Sequence, residues 1–136
     1  MMSISLSLYG LAALGTLVVA SLYLFGEVPM SYHRNVLEKE GVALSPGLNL
    51  VMTTLCRVLG AGLMASGVSA LLFALNIQEA DPALIKMRPL LIGLIVGVPC
   101  VIYPRRVEAA TGIRTPWRTA AALLGVLLVA FVVSLL

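Results

Sequence analysis

Negative charge is what this chain has least of. Only six of its 136 residues are Asp or Glu, and none of them falls inside one of its long apolar stretches. An embedded carboxylate is what proton-coupled antiport of the small multidrug-resistance type needs, so that class is disfavoured. Histidine is reduced to a single residue, His33, which rules out a bis-histidine haem or a di-metal site and offers no Ser/His/Asp set. The two cysteines, Cys56 and Cys100, lie in separate apolar stretches without a Cys-x-x-Cys or Cys/His spacing. That counts against quinone-linked disulfide chemistry and a zinc site, and both read as small buried hydrophobes. No Lys or Arg precedes the first apolar run, Ile4 to Phe25, so the charged start of a cleavable signal is missing. At 22 residues that run is long enough to span, and it is expected to be a retained helix.

Charged residues make up 11% of the chain, where a soluble domain carries roughly a quarter. Hydrophobic residues make up 60%, and the mean hydropathy is +1.06. A bilayer is the solvent that suits so much apolar surface. The expected fold is all-α, one integral membrane domain over residues 1–136 built as a four-helix transmembrane bundle. The spacing predicts spanning helices at about 4–25, 46–75, 82–103 and 116–136, with a short interfacial helix at about 29–40. Ser45-Pro46, Asp81-Pro82 and Thr115-Pro116 read as N-cap plus N1 proline ahead of the last three spans. The second span, at 30 residues, would be roughly 45 Å long and must tilt or protrude. The third has only 15 clean apolar residues, Pro89 to Tyr103; extended back to Pro82 it would place Lys86 and Arg88 as outward snorkelling cations and be kinked at Pro89 and Pro99.

The nine Lys and Arg residues are unevenly spread. Six lie in the first and third connections: Arg34 and Lys39, then Arg105, Arg106, Arg114 and Arg118. The opposite side has Lys86 and Arg88. By the positive-inside rule the first and third connections are expected to be cytoplasmic and both termini of this multi-pass chain to face out. Tyr32, Tyr103 and Trp117 would form the cytoplasmic aromatic belt, and Tyr9 would sit near the outer one.

The ninth cation, Arg57, lies within the second span. It is expected either to reach the interface and pair with Glu108, Glu38 or Glu27, or to line a polar pocket with Asn49, Thr53 and Thr54. Small residues at four-residue spacing, Gly62/Ser66/Ala70, Gly93/Gly97 and Ala121/Gly125, are expected to let helices approach closely, mostly within the chain. His33, Arg57, Arg105, Arg106, Arg114, Trp117 and Arg118 are the candidates for contact with lipid or a partner at the cytoplasmic face. Anionic headgroups suit that face, nucleic acid does not, and a membrane-protein partner or a second copy of the chain is the further candidate. No metal, cofactor or catalytic set is expected.

Two stretches carry resemblances. Tyr32-His33, Leu44-Ser45-Pro46-Gly47, Arg57 to Gly62 and Thr111…Thr115-Pro116-Trp117-Arg118-x-Ala120-Ala121 resemble a family of small bacterial four-helix membrane proteins over roughly residues 30–136. That resemblance implies an inner-membrane protein and brings no activity with it. Gly112-Ile113-Arg114-Thr115-Pro116-Trp117 is similar to a loop of the SdpI-type immunity family, although Arg118-Thr119-Ala120 here replaces that family's second Trp and Thr-His pair. The reading that results is a non-enzymatic accessory or subunit protein of a membrane complex. The alternative is a small transporter or channel component, or an immunity-type protein, using a polar pocket around Arg57.

Overall fold

The computed structural model describes residues 2–136. Over these the chain forms six helices and no strand: α1 (Met2–Phe25), α2 (Ser31–Lys39), α3 (Pro46–Leu75), α4 (Ala83–Lys86), α5 (Arg88–Thr111) and α6 (Trp117–Ser134). Four are long and apolar enough to cross a membrane: α1, α3, α4 with α5 as one rod, and α6. A helix satisfies its own backbone hydrogen bonds, which is what a span in hydrocarbon requires.

The long helices form a square. Both α1 and α5 pack against α3 and α6, so α1 faces α5, and α3 faces α6, across the diagonals. The α1–α3 seam is the most extensive and α3–α5 the least. One end of the bundle gathers the first residues of α1, the α3–α4 connection and the last residues of α6; this is the termini end. The other, the loop end, gathers α2 and the α5–α6 turn.

Local chemistry sets the helix limits. Ser45 caps α3, its hydroxyl accepting from Leu48 N at 3.3 Å, with Pro46 in the first turn. Gly41 and Gly112 take φ of +68° and +70° and close α2 and α5, a backbone conformation glycine reaches without strain. The other two expected caps do not form. Asp81 turns back to accept from Gln78 N at 2.8 Å, and Thr115 donates to Pro104 O at 2.9 Å. Prolines 82 and 116 occupy the N-cap positions instead. The third span also runs on to Thr111 rather than ending near Tyr103. Arg105, Arg106 and Glu108 look like loop residues by polarity, but they are good helix formers, and the rod continues through Pro104. Its interruption falls at Met87, two residues before Pro89.

Glycine sets how closely the helices meet. A Cβ on Gly60 would lie 2.9 Å from Leu24 N and Tyr23 Cβ of α1, and one on Gly67 2.8 Å from Leu17. Leucines of α6 fill the other glycine notches: Leu123 over Gly15, Leu124 over Gly97 and Leu127 over Gly93. Gly93 and Gly97 therefore serve close packing, and Ala70 is buried. Gly62 and Gly125 do not pack within the bundle: both are exposed, with nothing within 4 Å of an added Cβ. The inward face of α3 is Cys56, Gly60, Leu63, Gly67, Ala70 and Ala74, and Gly62 lies about 200° round the helix from Gly60. Ser66 and Ala121 are half-buried.

Two side chains expected at the surface are inside. Tyr9 is 1% exposed and donates to Lys86 O at 2.8 Å. Lys86 is itself buried, its ammonium donating to Glu79 O at 2.9 Å and Ser134 O at 3.0 Å. Carbonyls at the end of α6 give this lysine a better place than a reach to water would. Arg88 does remain exposed, its guanidinium 5.8 Å from the Phe73 ring.

Gly60 meets backbone, which cannot swing aside, whereas Gly62 meets open space. Gly60→Val is expected to destabilise the bundle by about 1–3 kcal/mol, the range for overpacking, and Gly62→Val to have little effect; thermal unfolding of both variants in one detergent measures the difference.

Candidate functional site

Arg57 stands where α3 passes the end of α1, and no carboxylate meets it. Its guanidinium donates to Tyr23 O at 3.2 Å, to Gly26 O at 3.1 Å and to Leu24 O. The last carbonyls of a helix have no partner within it and carry the negative end of its dipole. Arg57 thus caps α1 from a neighbouring helix. The acids expected to pair with it do not: Glu27 pairs with Arg34, Glu108 with Arg118, and Glu38 is exposed. The polar pocket does not form either. Thr54 bonds its own helix at Leu50 O, Thr53 donates to Val28 O at 3.4 Å, and Asn49 is exposed.

The α5–α6 turn is organised by Glu108. Its carboxylate accepts from Thr115 N at 2.9 Å, Trp117 Nε1 at 3.1 Å and both terminal nitrogens of Arg118 at 3.1 and 2.8 Å. Arg118 and Arg105 lie 4.6 and 5.5 Å from the Trp117 ring, within cation–π range. Arg118 is therefore committed inside the protein and Trp117 is half-buried between two cations. Lys39 of α2 donates to Thr111 O at the end of α5. Arg105, Arg106 and Arg114 are exposed, and among the described residues neither Arg106 nor Arg114 makes an ion pair, side-chain hydrogen bond or cation–π contact.

His33 is also engaged within the protein, where its Nδ1 accepts from Met30 N at 3.2 Å at the start of α2. Burial lowers its pKa below the usual imidazole value of 6.5, favouring the neutral acceptor. Tyr32 beside it shares a 3.0 Å hydroxyl contact with Tyr23, and burial raises its pKa. At the edge of the same segment the hydrogen bond from Arg34 holds the Glu27 carboxyl below its usual value.

The feature with no counterpart in the linear sequence is a cavity of about 460 Å³ between α1, α3, α5 and α6. It is lined from Ala12 to Tyr23 on α1 and from Leu59 to Ala70 on α3. Across from these it runs from Ile92 to Pro104 on α5 and from Pro116 to Leu127 beside α6. Twelve or thirteen residues along each side give a length of roughly 18–20 Å. No charged residue lines it. Two of its hydroxyls are already used within their own helices, Thr16 on Ala12 O at 2.9 Å and Ser66 on Gly62 O at 2.8 Å. Neither His33 nor Arg57 reaches it. Cys100 does line it, and both cysteines are free thiols. Among the described residues no group of three His, Cys, Asp or Glu could hold a metal ion.

Sequence reasoning missed Glu108 as the centre of a turn and the cavity altogether. A lone acid among four arginines was the available signal for Glu108; a cavity between four helices leaves none. Comparison with family models, with curated proteins and with solved structures found no match.

Charged hydrogen bonds of the Arg57 kind are worth about 1.5–3 kcal/mol each when lost. Arg57→Gln is expected to lower stability by about 2–3 kcal/mol and to speed amide exchange in the last turn of α1. Arg57→Lys should recover only part of this, because an ammonium lacks the fork that spans three carbonyls. Arg106→Gln, measured alongside by hydrogen exchange and thermal unfolding, should leave both unchanged.

Proposed function

We propose that the chain is a multi-pass protein of a bacterial inner membrane, non-enzymatic, and an accessory or subunit protein of a membrane complex. In this reading both termini face outward and the loop end is cytoplasmic. Its recognition surface is the basic face around the α5–α6 turn, which takes anionic headgroups and the acidic surface of a partner. One observation supports it above the others: Arg105, Arg106 and Arg114 stay exposed while Lys39, Arg57, Lys86 and Arg118 are used internally. A fold that needed arginine only for its own stability has no use for Arg106 and Arg114, and uses Arg105 only in its contact with the Trp117 ring. A bend of the third span at Pro89 and Pro99 belongs to the same reading, since each proline leaves its helix a donor short.

Two further observations favour a binding role over catalysis. Arg57 is engaged with three carbonyls at the end of α1, which occupies it as an anion hold, and His33 has its Nδ1 committed to Met30 N at the start of α2. The transporter alternative relied on a polar path to Arg57, and the groups around it are backbone carbonyls already bonded.

Each exposed arginine near an anionic surface contributes about 1 kcal/mol. Replacing Arg105, Arg106 and Arg114 together by Gln is therefore expected to weaken retention of anionic lipid by about two orders of magnitude at low salt, with little effect in 0.5 M salt, where exposed charges are screened. Native mass spectrometry of the full chain with a phosphatidylglycerol and phosphatidylcholine mixture reads this; equal retention by variant and parent would end the proposal.

Orientation has its own check. A reporter active only outside the inner membrane, fused after Leu136, should be active, and the same reporter inserted at Gly41 in the α2–α3 connection should be silent. The reverse pattern would invert the assignment.

A further inference from the structure

The cavity is long and uncharged. Its volume of about 460 Å³ runs along roughly 18 Å of the bundle, an elongated shape that suits an extended hydrocarbon chain. The lining is mostly apolar, and of its hydroxyls those of Thr16 and Ser66 bond their own helices and those of Tyr23 and Tyr32 bond each other.

The cavity also has a side and an end. Leu59 and Tyr103 line it and are 40% and 64% exposed, and they flank the α3–α5 seam, the least extensive of the four. That seam opens toward the surroundings of the bundle, from which a chain can slip in sideways. At the loop end the lining finishes at Met30 and Tyr32 on one side and at Tyr103, Pro104 and Pro116 on the other. The next residues are Arg105 and Trp117, which contact one another, with Arg106 following.

We propose that this cavity binds a hydrocarbon chain of an acidic amphiphile, entering through the α3–α5 seam with the acidic head against Arg105 and Arg106. The chain site rests on the cavity alone; the preference for an acidic head rests on the basic-face reading above. Acyl chains of this kind come as free long-chain acids or as one arm of a membrane phospholipid, and the probes must separate these sources.

The test uses the full chain in a steroid-based detergent, which has no alkyl tail to compete. Hexadecanoic acid is expected to give a single saturable adduct by native mass spectrometry. Ser66→Phe and Ala120→Phe, which fill the cavity, should weaken it at least tenfold, and Ala61→Phe, on the outward face of α3, should not. In the unmodified protein, hexadecanoic acid should slow alkylation of Cys100 by N-ethylmaleimide and leave Cys56 unaffected; this holds the proposal open to failure even where a filled variant does not fold. Adducts that accumulate without saturating, a filled variant that folds and keeps the adduct, or a Cys100 rate that neither the free acid nor a phospholipid changes each overturn it. Hexadecan-1-ol separates the two layers. Equal binding of alcohol and acid, both lost on filling the cavity, upholds the chain site and removes the acidic head. A phospholipid that protects Cys100 where the free acid does not shows the chain to be one arm of a lipid.

Discussion

The carbonyls at the helix ends are the constraint around which this molecule is arranged. A span in apolar surroundings must satisfy its last-turn oxygens without water, and this chain does so with cations sent from other elements. Arg57 of α3 covers the end of α1, Lys39 of α2 the end of α5, and Lys86 of α4 the end of α6. The fourth end, that of α3, is closed locally: Asn76 donates its side chain to Leu72 O at 2.7 Å and its backbone N–H to Phe73 O at 3.2 Å. Among the described residues four of the six acids stay outside any ion pair, and these three cations bond carbonyls instead of carboxylates. A guanidinium against carbonyl dipoles also avoids bringing a second full charge out of water, the step that makes buried ion pairs expensive.

Fixing the bundle at its ends changes what its middle must do. Tyr9 reaching Lys86 O and Ser5 reaching Ala130 O, both at 2.8 Å, tie the termini end, and the Glu108 cluster ties the loop end. Between them the contacts are glycine against leucine, short-range and local. The α3–α5 seam is left thin, and four helices held apart at their ends enclose an elongated space.

How far the sequence could be read follows from which forces are local. The four apolar rods were legible because hydropathy is a property of consecutive residues, and the Ser45-Pro46 start because an N-cap bonds three residues ahead. The rotation of a rod was not legible. Gly62 and Gly60 are equally good notches in sequence, and only the approach of α1 at Tyr23 and Leu24 decides between them. The partners of Arg57 and Lys86 were missed for a related reason. Charge suggests pairing with opposite charge or escape to water, while helix-end oxygens carry no mark in the sequence. Thr115 and Asp81 show the limit of cap patterns: each has the right residue before proline, and each finds a stronger bond elsewhere, Thr115 through Pro104 O and Glu108.

Internal use of charge bears directly on what the surface can do. At the termini end the spare charges are Arg88 with Glu79 and Asp81, close to balance. At the loop end, removing Arg57, Lys39, and the Arg34–Glu27 and Arg118–Glu108 pairs leaves Arg105, Arg106 and Arg114 against Glu38 and Glu40. Those two acids flank Lys39, which bonds Thr111 O at the end of α5, so they border the face that carries the three arginines. More cations than acids therefore remain at this end. The cavity lining finishes at that same turn, because Pro104 and Pro116 close it and the chain passes from each directly into Arg105 and Trp117. An apolar interior and an unspent cationic rim meeting at one turn are the two halves of recognition for an amphiphile, and neither half is needed to hold the bundle together.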